Sequence, residues 1–247
     1  WCKQSWVKIL GNRIQAAKNK QLERIYPTKN IIYHLVGEAD KQYLLNINKG
    51  LDAHFIRHPH YNYTDKKQIS FSKPKIKILI AGQYNLYTFT AFNEVFPELC
   101  NYKEIANDYS ITFLGKGWEF AVKKLQEAGY ETNQISFVDV YLDEIIKYDI
   151  QLTPISVGTG TKGKVLDALA NGLLVIGTPY AMENIAVENN KSCVIYRDAM
   201  QLKSVLKKIP YERARYEAIA IEGRKCVLTE HSREKVSKEL FRLFSRV

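Results

Sequence analysis

The sequence predicts an α/β protein: a doubly wound parallel sheet preceded by part of a second α/β domain. Three observations carry this. From Pro74 onward, short apolar runs alternate with segments of helical periodicity. Several of those runs stop at a helix- or strand-breaking residue, among them Gly82, Gly115 and Pro154. One turn, Gly158-Thr159-Gly160-Thr161, is glycine-rich and leads from a strand into a helix, the local form of an anion cradle.

The elements follow in order. Residues 6–25, rich in Lys, Arg, Gln and Ala, predict a helix stopped by Pro27. Residues 30–36 form a buried-type strand ending at Gly37, and 38–48 a helix with Tyr43, Leu44 and Ile47 at helical spacing. A second short strand is expected at 54–57, closed by His58-Pro59-His60; polar, unpatterned residues 61–73 read as a linker. Beyond Pro74, strands are expected at 76–81, 110–114, 135–138, 149–153, 173–177 and 193–196. Helices are expected at 90–99, from Gly117 to Ala128, at 142–147, from about Thr161 to 170, and at 200–208. Strands alternating with helices imply right-handed crossovers and a parallel sheet covered on both faces. Residues 211–245 read as terminal helices, with Val236, Leu240, Leu243 and Phe244 on one apolar face.

Composition bounds the function. The chain of 247 residues is 46% hydrophobic and 25% charged, that of an ordinary globular protein. It has no uncharged apolar run long enough to span a membrane. The opening Trp1-Cys2-Lys3 carries neither Met nor a signal-peptide core, so an N-terminal segment is expected to be missing. Cys2, Cys100, Cys193 and Cys226 lie far apart without a C-x-x-C pair, which reads as reduced thiols of a cytoplasmic protein. The net charge of +10 points to an anionic partner or to a plain Lys-rich surface. No zinc-finger spacing, aromatic ribonucleoprotein motif or recognition-helix signature occurs, so nucleic acid is not expected as a partner.

The most informative segment is residues 154–172. A helix start offers unpaired N–H groups and the positive end of the dipole, which together suit a pyrophosphate. Gly158 and Gly160 allow a close approach, Thr159 and Thr161 add hydroxyls, and Lys162 or Lys164 adds a cation. Asp167, one to two turns into the helix, is placed to accept hydrogen bonds from ribose hydroxyls. The segment is not a Walker loop: the preceding glycine is missing and Gly163 separates the two lysines. The dinucleotide fingerprint is also excluded, because it belongs on the first strand, where the turn has only Gly82.

Read together, Gly158-Thr-Gly-Thr-Lys-Gly-Lys-Val-Leu-Asp-Ala-Leu-Ala-Asn-Gly172 and the following Val-Ile-Gly-Thr resemble the donor-binding half of GT-B glycosyltransferases of the group-1 (family 4-like) kind. The surroundings agree: strand 76–81 with Gly82 is similar to that half's first strand and glycine turn, and 111–117 to its second strand and Gly-x-Gly. Phe137-Val138-Asp139 resembles the loop that meets the base; 34–41 and 55–61 resemble the end of the acceptor half and the interdomain linker. The resemblance implies a Rossmann-like donor half at 74–222. Residues 1–60 are then the end of an incomplete acceptor-side domain, 61–73 the linker, and 223–247 a helix packing back on the acceptor side.

The implied activity moves a sugar from a UDP- or GDP-sugar to a saccharide or lipid-linked saccharide acceptor, in cell-surface polysaccharide biosynthesis. Its place would be the cytoplasm, with peripheral contact at the inner face of the membrane. Gly82, Gly158, Thr159, Gly160, Thr161 and Lys164 would hold the donor diphosphate, Asp167 the ribose, and Val138 and Asp139 the base. No metal and no cofactor are expected, and the acceptor-side base would lie outside the chain. Two departures stand out: Asp167 replaces the usual Glu, and Thr159 stands where many retaining members carry a carboxylate. A non-catalytic nucleotide- or phosphosugar-binding module is therefore the alternative reading, and a basic nucleic-acid-binding α/β protein the third.

Other residues are expected to be structural. His58 and His60 lack acidic or cysteine partners at metal-ligand spacing. His34 reads as packed or hydrogen-bonded, and His231 as solvated. Asp139 and Asp143 can also cap or solvate the short helix at 142–147.

Overall fold

The computed structural model describes residues 6–65, 67–158 and 160–245. The chain divides into two units, one reaching to Ile56 and taking up again at Ser237, the other formed by Arg57–Val236.

The first unit contains α1 (Trp6–Arg24), β1 (Ile32–Leu35), α2 (Glu38–Ile47) and β2 (Asp52–Phe55), with β1 and β2 parallel. Helix α2 starts after the extended Gly37 with Glu38 and Asp40 in its first turn, where the helix dipole favours negative charge. Strand β2 begins two residues before the expected 54–57. Its pairing is set by β1, with Asp52 opposite Ile32 and His54 opposite His34, so an exposed polar residue opens it.

In the second unit the described residues from 57 to 75 form neither helix nor strand. They are nevertheless tied down along their length. Thr64 N–H donates to Asn171 Oδ1 at 2.9 Å, and Arg224 donates to Thr64 O and Asp65. Lys67 Nζ donates to Tyr148 O, Phe71 N–H to Glu217, and Ser72 through N–H and Oγ to the buried Asp149. This segment is a strap, held by residues distant in sequence.

After the strap come β3 (Ile76–Ala81), α3 (Leu86–Asn101), a 3₁₀ turn (Lys103–Ile105), β4 (Tyr109–Leu114), α4 (Glu119–Glu127), β5 (Glu131–Ile135) and α5 (Tyr141–Ile145). They are followed by β6 (Ile150–Thr153), α6 (Gly163–Ala170), β7 (Leu174–Gly177), β8 (Val194–Ile195), α7 (Ala199–Lys208) and α8 (Arg213–Glu230). Helix α9 (Arg233–Phe244) begins in this unit and ends in the first. The six strands are all parallel, in the order β5-β4-β3-β6-β7-β8. Alternate residues feed two apolar layers. Ile76, Ile78 and Ile80 pack with α3, α4 and α7, whereas Leu79 and Val175 pack with α5 and α6. The sheet is thus covered on both faces, as the alternation of strands and helices implied.

Several boundaries differ from expectation for local reasons. Helix α3 starts four residues early because Asn85 and Thr88 form a reciprocal cap, and it continues past Pro97. The strand expected at 135–138 lies at Glu131–Ile135. As the edge strand, paired to β4 alone, it has polar outer residues that an apolar pattern overlooks. Helix α6 begins at Gly163, since Lys162 is still extended. Neither Asp139 nor Asp143 caps α5, whose N-cap is Val140 without a side-chain bond. On α9, Val236 and Leu243 are buried but Phe244 is exposed.

His231 is the largest departure. It is fully buried, not solvated. Its Nδ1 donates to His58 O at 2.7 Å while Nε2 accepts from Ala186 N–H at 3.0 Å, and its carbonyl accepts from His60 N–H. Those partners require the neutral Nδ1–H tautomer. Burial pushes its pKa below the usual histidine value, which agrees.

Candidate functional site

Parallel strands place their carboxyl ends, and the turns that follow, on one edge of a sheet. The strand order reverses between β3 and β6, and the turns after those two strands flank the crevice that results.

The first wall is backbone. Gly82 (φ +131°) follows β3, and its N–H donates to Leu114 O; Gly115 follows β4, and its N–H donates to Ile135 O. A Cβ on Gly115 would stand 2.3 Å from Gly82 O, so the two turns touch main chain to main chain. Trp118, buried beneath them, donates its indole N–H to Gly82 O at 2.7 Å.

The opposite wall is the turn between β6 and α6. Gly158 and Gly160 both have positive φ (+117° and +73°), a conformation side chains disfavour. Thr159 lies outside the described residues. Thr161, partly buried, immediately precedes the helix cap. The two lysines divide their work. Lys162 turns inward, donating to Gly158 O (3.1 Å) and Gly160 O (2.7 Å), with Glu183 at 3.4 Å, and so staples the loop. Lys164 faces a cleft of about 350 Å³ shared with Gly82, Gly115, Phe137 and Val138.

A second cleft of about 290 Å³ is lined by Asp167, Asn171, Asp139, Tyr61 and Asn62. Tyr141 borders both clefts. The Lys164 ammonium lies 4.4 Å from its ring centroid, within cation–π range. The Tyr141 hydroxyl is buried and has no hydrogen-bond partner among the described residues. Burial pushes the Asp167 carboxyl up to about 6, although the charges of Lys164 and His58 pull it back. Burial also depresses the Lys164 ammonium, with Asp167 opposing.

The expected residues therefore fall into three groups. Gly82, Lys164 and Val138 line one cleft, Asp139 and Asp167 the other, and Gly158, Gly160 and Thr161 form the turn that leads into α6. Tyr61, Tyr141 and Asn171 were not expected. Asn171 had a signal: it lies one turn beyond Asp167 on the same helix face. Fully buried, it donates to Asp167 O and Asn62 O. Among the described residues no group of three His, Cys, Asp or Glu side chains could hold a metal ion, and no helix is long and apolar enough to cross a membrane.

No protein-family model matches the sequence, and no curated protein matches it. Solved structures do match the fold. HepE of Anabaena, in complex with UDP-glucose, superposes with a TM-score of 0.72 at 9% identity over 94% of this chain and 67% of its own. A glycosyltransferase from Rickettsia africae gives 0.72 at 12% identity, over 93% and 66% of the two chains. TarM gives 0.69 at 10% identity, over 92% of this chain and 46% of its own. The chain thus spans from about half to two thirds of the length of these proteins. Identities this low speak for architecture alone, and together with the parallel sheet and its reversal point they show that the chain has the fold of the GT-B glycosyltransferases.

Proposed function

We propose that the chain binds a nucleotide-diphosphate sugar, a UDP- or GDP-sugar, and transfers its sugar to a saccharide or lipid-linked saccharide acceptor in cell-surface polysaccharide synthesis. The observation that carries this reading is the pairing of two walls at the sheet reversal. One is the touching backbone turns at Gly82 and Gly115; the other is the α6 start with Lys164. The α6 start offers N–H donors, a helix dipole and a cation to a diphosphate, and the two glycine turns let it approach without side chains in the way. In the transfer, negative charge grows on the leaving diphosphate oxygen, and fixed dipoles aimed there lower the barrier. Thr159 would add a donor, Asp167 would hold the ribose, and Val138 and Asp139 would meet the base.

Residues 1–60 are proposed as acceptor-side structure and, within 223–247, α9 (Arg233–Phe244) as the returning helix. The excess of ten positive charges suits phosphate-rich ligands and an anionic cytoplasmic membrane surface bearing a lipid-linked acceptor. A thermal-shift panel of UDP, GDP, ADP and CDP tests the binding, because a ligand of the folded state raises its midpoint. A rise with UDP or GDP is expected, and no rise with any of the four sinks the reading. The alternative, a non-catalytic module, draws on Thr159 in place of a carboxylate. Binding without hydrolysis or transfer from any UDP- or GDP-sugar would favour it.

A further inference from the structure

The strap holds one aromatic residue in an unusual position. Tyr61 is half exposed, yet the backbone on either side of it is fastened by buried side chains. On one side His231 bonds His58 O and its carbonyl takes His60 N–H; on the other Asn171 bonds Asn62 O and Thr64 N–H. Arg233 further holds the Asn62 side chain at 3.0 Å. Between these two fastenings the Tyr61 ring lies over Gly163, the first residue of α6. A Cβ there would stand 3.0 Å from ring carbon Cε2 and 3.6 Å from the hydroxyl. The ring also walls the cleft that contains Asp167 and Asn171.

The Tyr61 ring is tilted against His58, with centroids 5.4 Å apart, and buries only about half of its surface, while the irregular backbone that carries it is costly to order. An ordered aromatic wall beside a helix start is, however, what a bound ligand benefits from, since its immobilisation is already complete. A phenol at that place can donate to a phosphate or ribose oxygen, and its face can cover a sugar ring.

Resting on the donor-site reading above, we propose that Tyr61 is a further binding residue. Its ring and hydroxyl close the cleft over Asp167 and the α6 start against the ribose–diphosphate part of a nucleotide donor. His231 and Asn171 act through it as positioning residues.

Calorimetric titration of UDP and GDP into wild type, Tyr61→Phe, Tyr61→Ala and Gly163→Ala, with melting curves alongside, tests this. Tyr61→Ala should weaken the nucleotide that wild type binds by about tenfold or more, and Tyr61→Phe by less. Gly163→Ala should weaken it too, with an unchanged or raised melting midpoint, because alanine favours the helix while its methyl displaces the ring. In turnover, the KM for the sugar nucleotide should rise while kcat stays within about twofold, the mark of lost ground-state binding. Wild-type binding retained within about twofold in Tyr61→Ala overturns the proposal. Wild type binding neither nucleotide overturns the donor reading itself, and this with it.

Discussion

At the scale of single residues, Asp167 and His231 titrate in opposite senses. The Asp167 carboxyl stands near 6 when folded, above the ordinary 3.8, so the folded state holds that proton more tightly than the unfolded one. Its ionisation therefore costs stability: the cost is absent below about pH 4 and complete above about pH 6. Asp167→Asn should accordingly gain stability over wild type at pH 8 but not at pH 4, as read from urea midpoints. The ionised carboxylate accepts from ribose hydroxyls more strongly than the protonated acid, so wild-type affinity for a UDP- or GDP-sugar, which has no terminal phosphate monoester to titrate, should fall as pH drops through about 6. The asparagine variant should lack that step. His231 is displaced downward, so its contribution to stability is present above the unfolded value of 6.5 and lost as pH falls below it. Replacing it with alanine strands His58 O and Ala186 N–H and opens a void. A loss of about 2–4 kcal/mol is expected in denaturant unfolding.

At the scale of elements, the turn before α6 and the two backbone turns opposite it fail in different ways. Lys162→Ala frees the Gly158 and Gly160 carbonyls and Glu183, so it should loosen the loop, seen as faster amide exchange over 157–162. Lys164→Ala removes the cation from the cleft and should weaken nucleotide binding without that loosening. Gly115→Ala drives a methyl into Gly82 O at a positive φ, and about 2 kcal/mol or more should be lost in urea unfolding.

The turn itself was legible, because glycines at positive φ and a following amphipathic run are local signals. Which lysine faces the cleft was not, since both lie at the start of the same helix and only the Gly158 and Gly160 carbonyls decide it. Strand β5 escaped the apolar pattern because an edge strand tolerates Glu131 and Asn133 on its exposed side. The strap escaped altogether: its partners Asn171, Glu217 and Arg224 lie more than a hundred residues away along the chain.

At the scale of the molecule, fold class was the most legible property, because strands alternate with helical segments from β3 to β7, and that order alone implies a parallel sheet with helices on both faces. His231 shows the limit, since polar neighbours in sequence said nothing of the backbone that encloses it. Charge acts at this scale as well. With a net charge of +10, nucleoside diphosphate affinity should fall on raising salt from about 0.05 to 0.5 M, as the screening length shortens.

The neighbours β3 and β6 carry a further consequence, a kinetic one. They pair directly, as in Ile78 with Ile150, yet β4, β5 and their helices intervene in the chain. Closing that long loop is slow, so the two half-sheets can each condense before they join. A molecule lodged between the turns after β3 and β6 would span this join. It should therefore act as a brake on chain opening: UDP or GDP should slow unfolding in urea-jump experiments beyond any change in refolding.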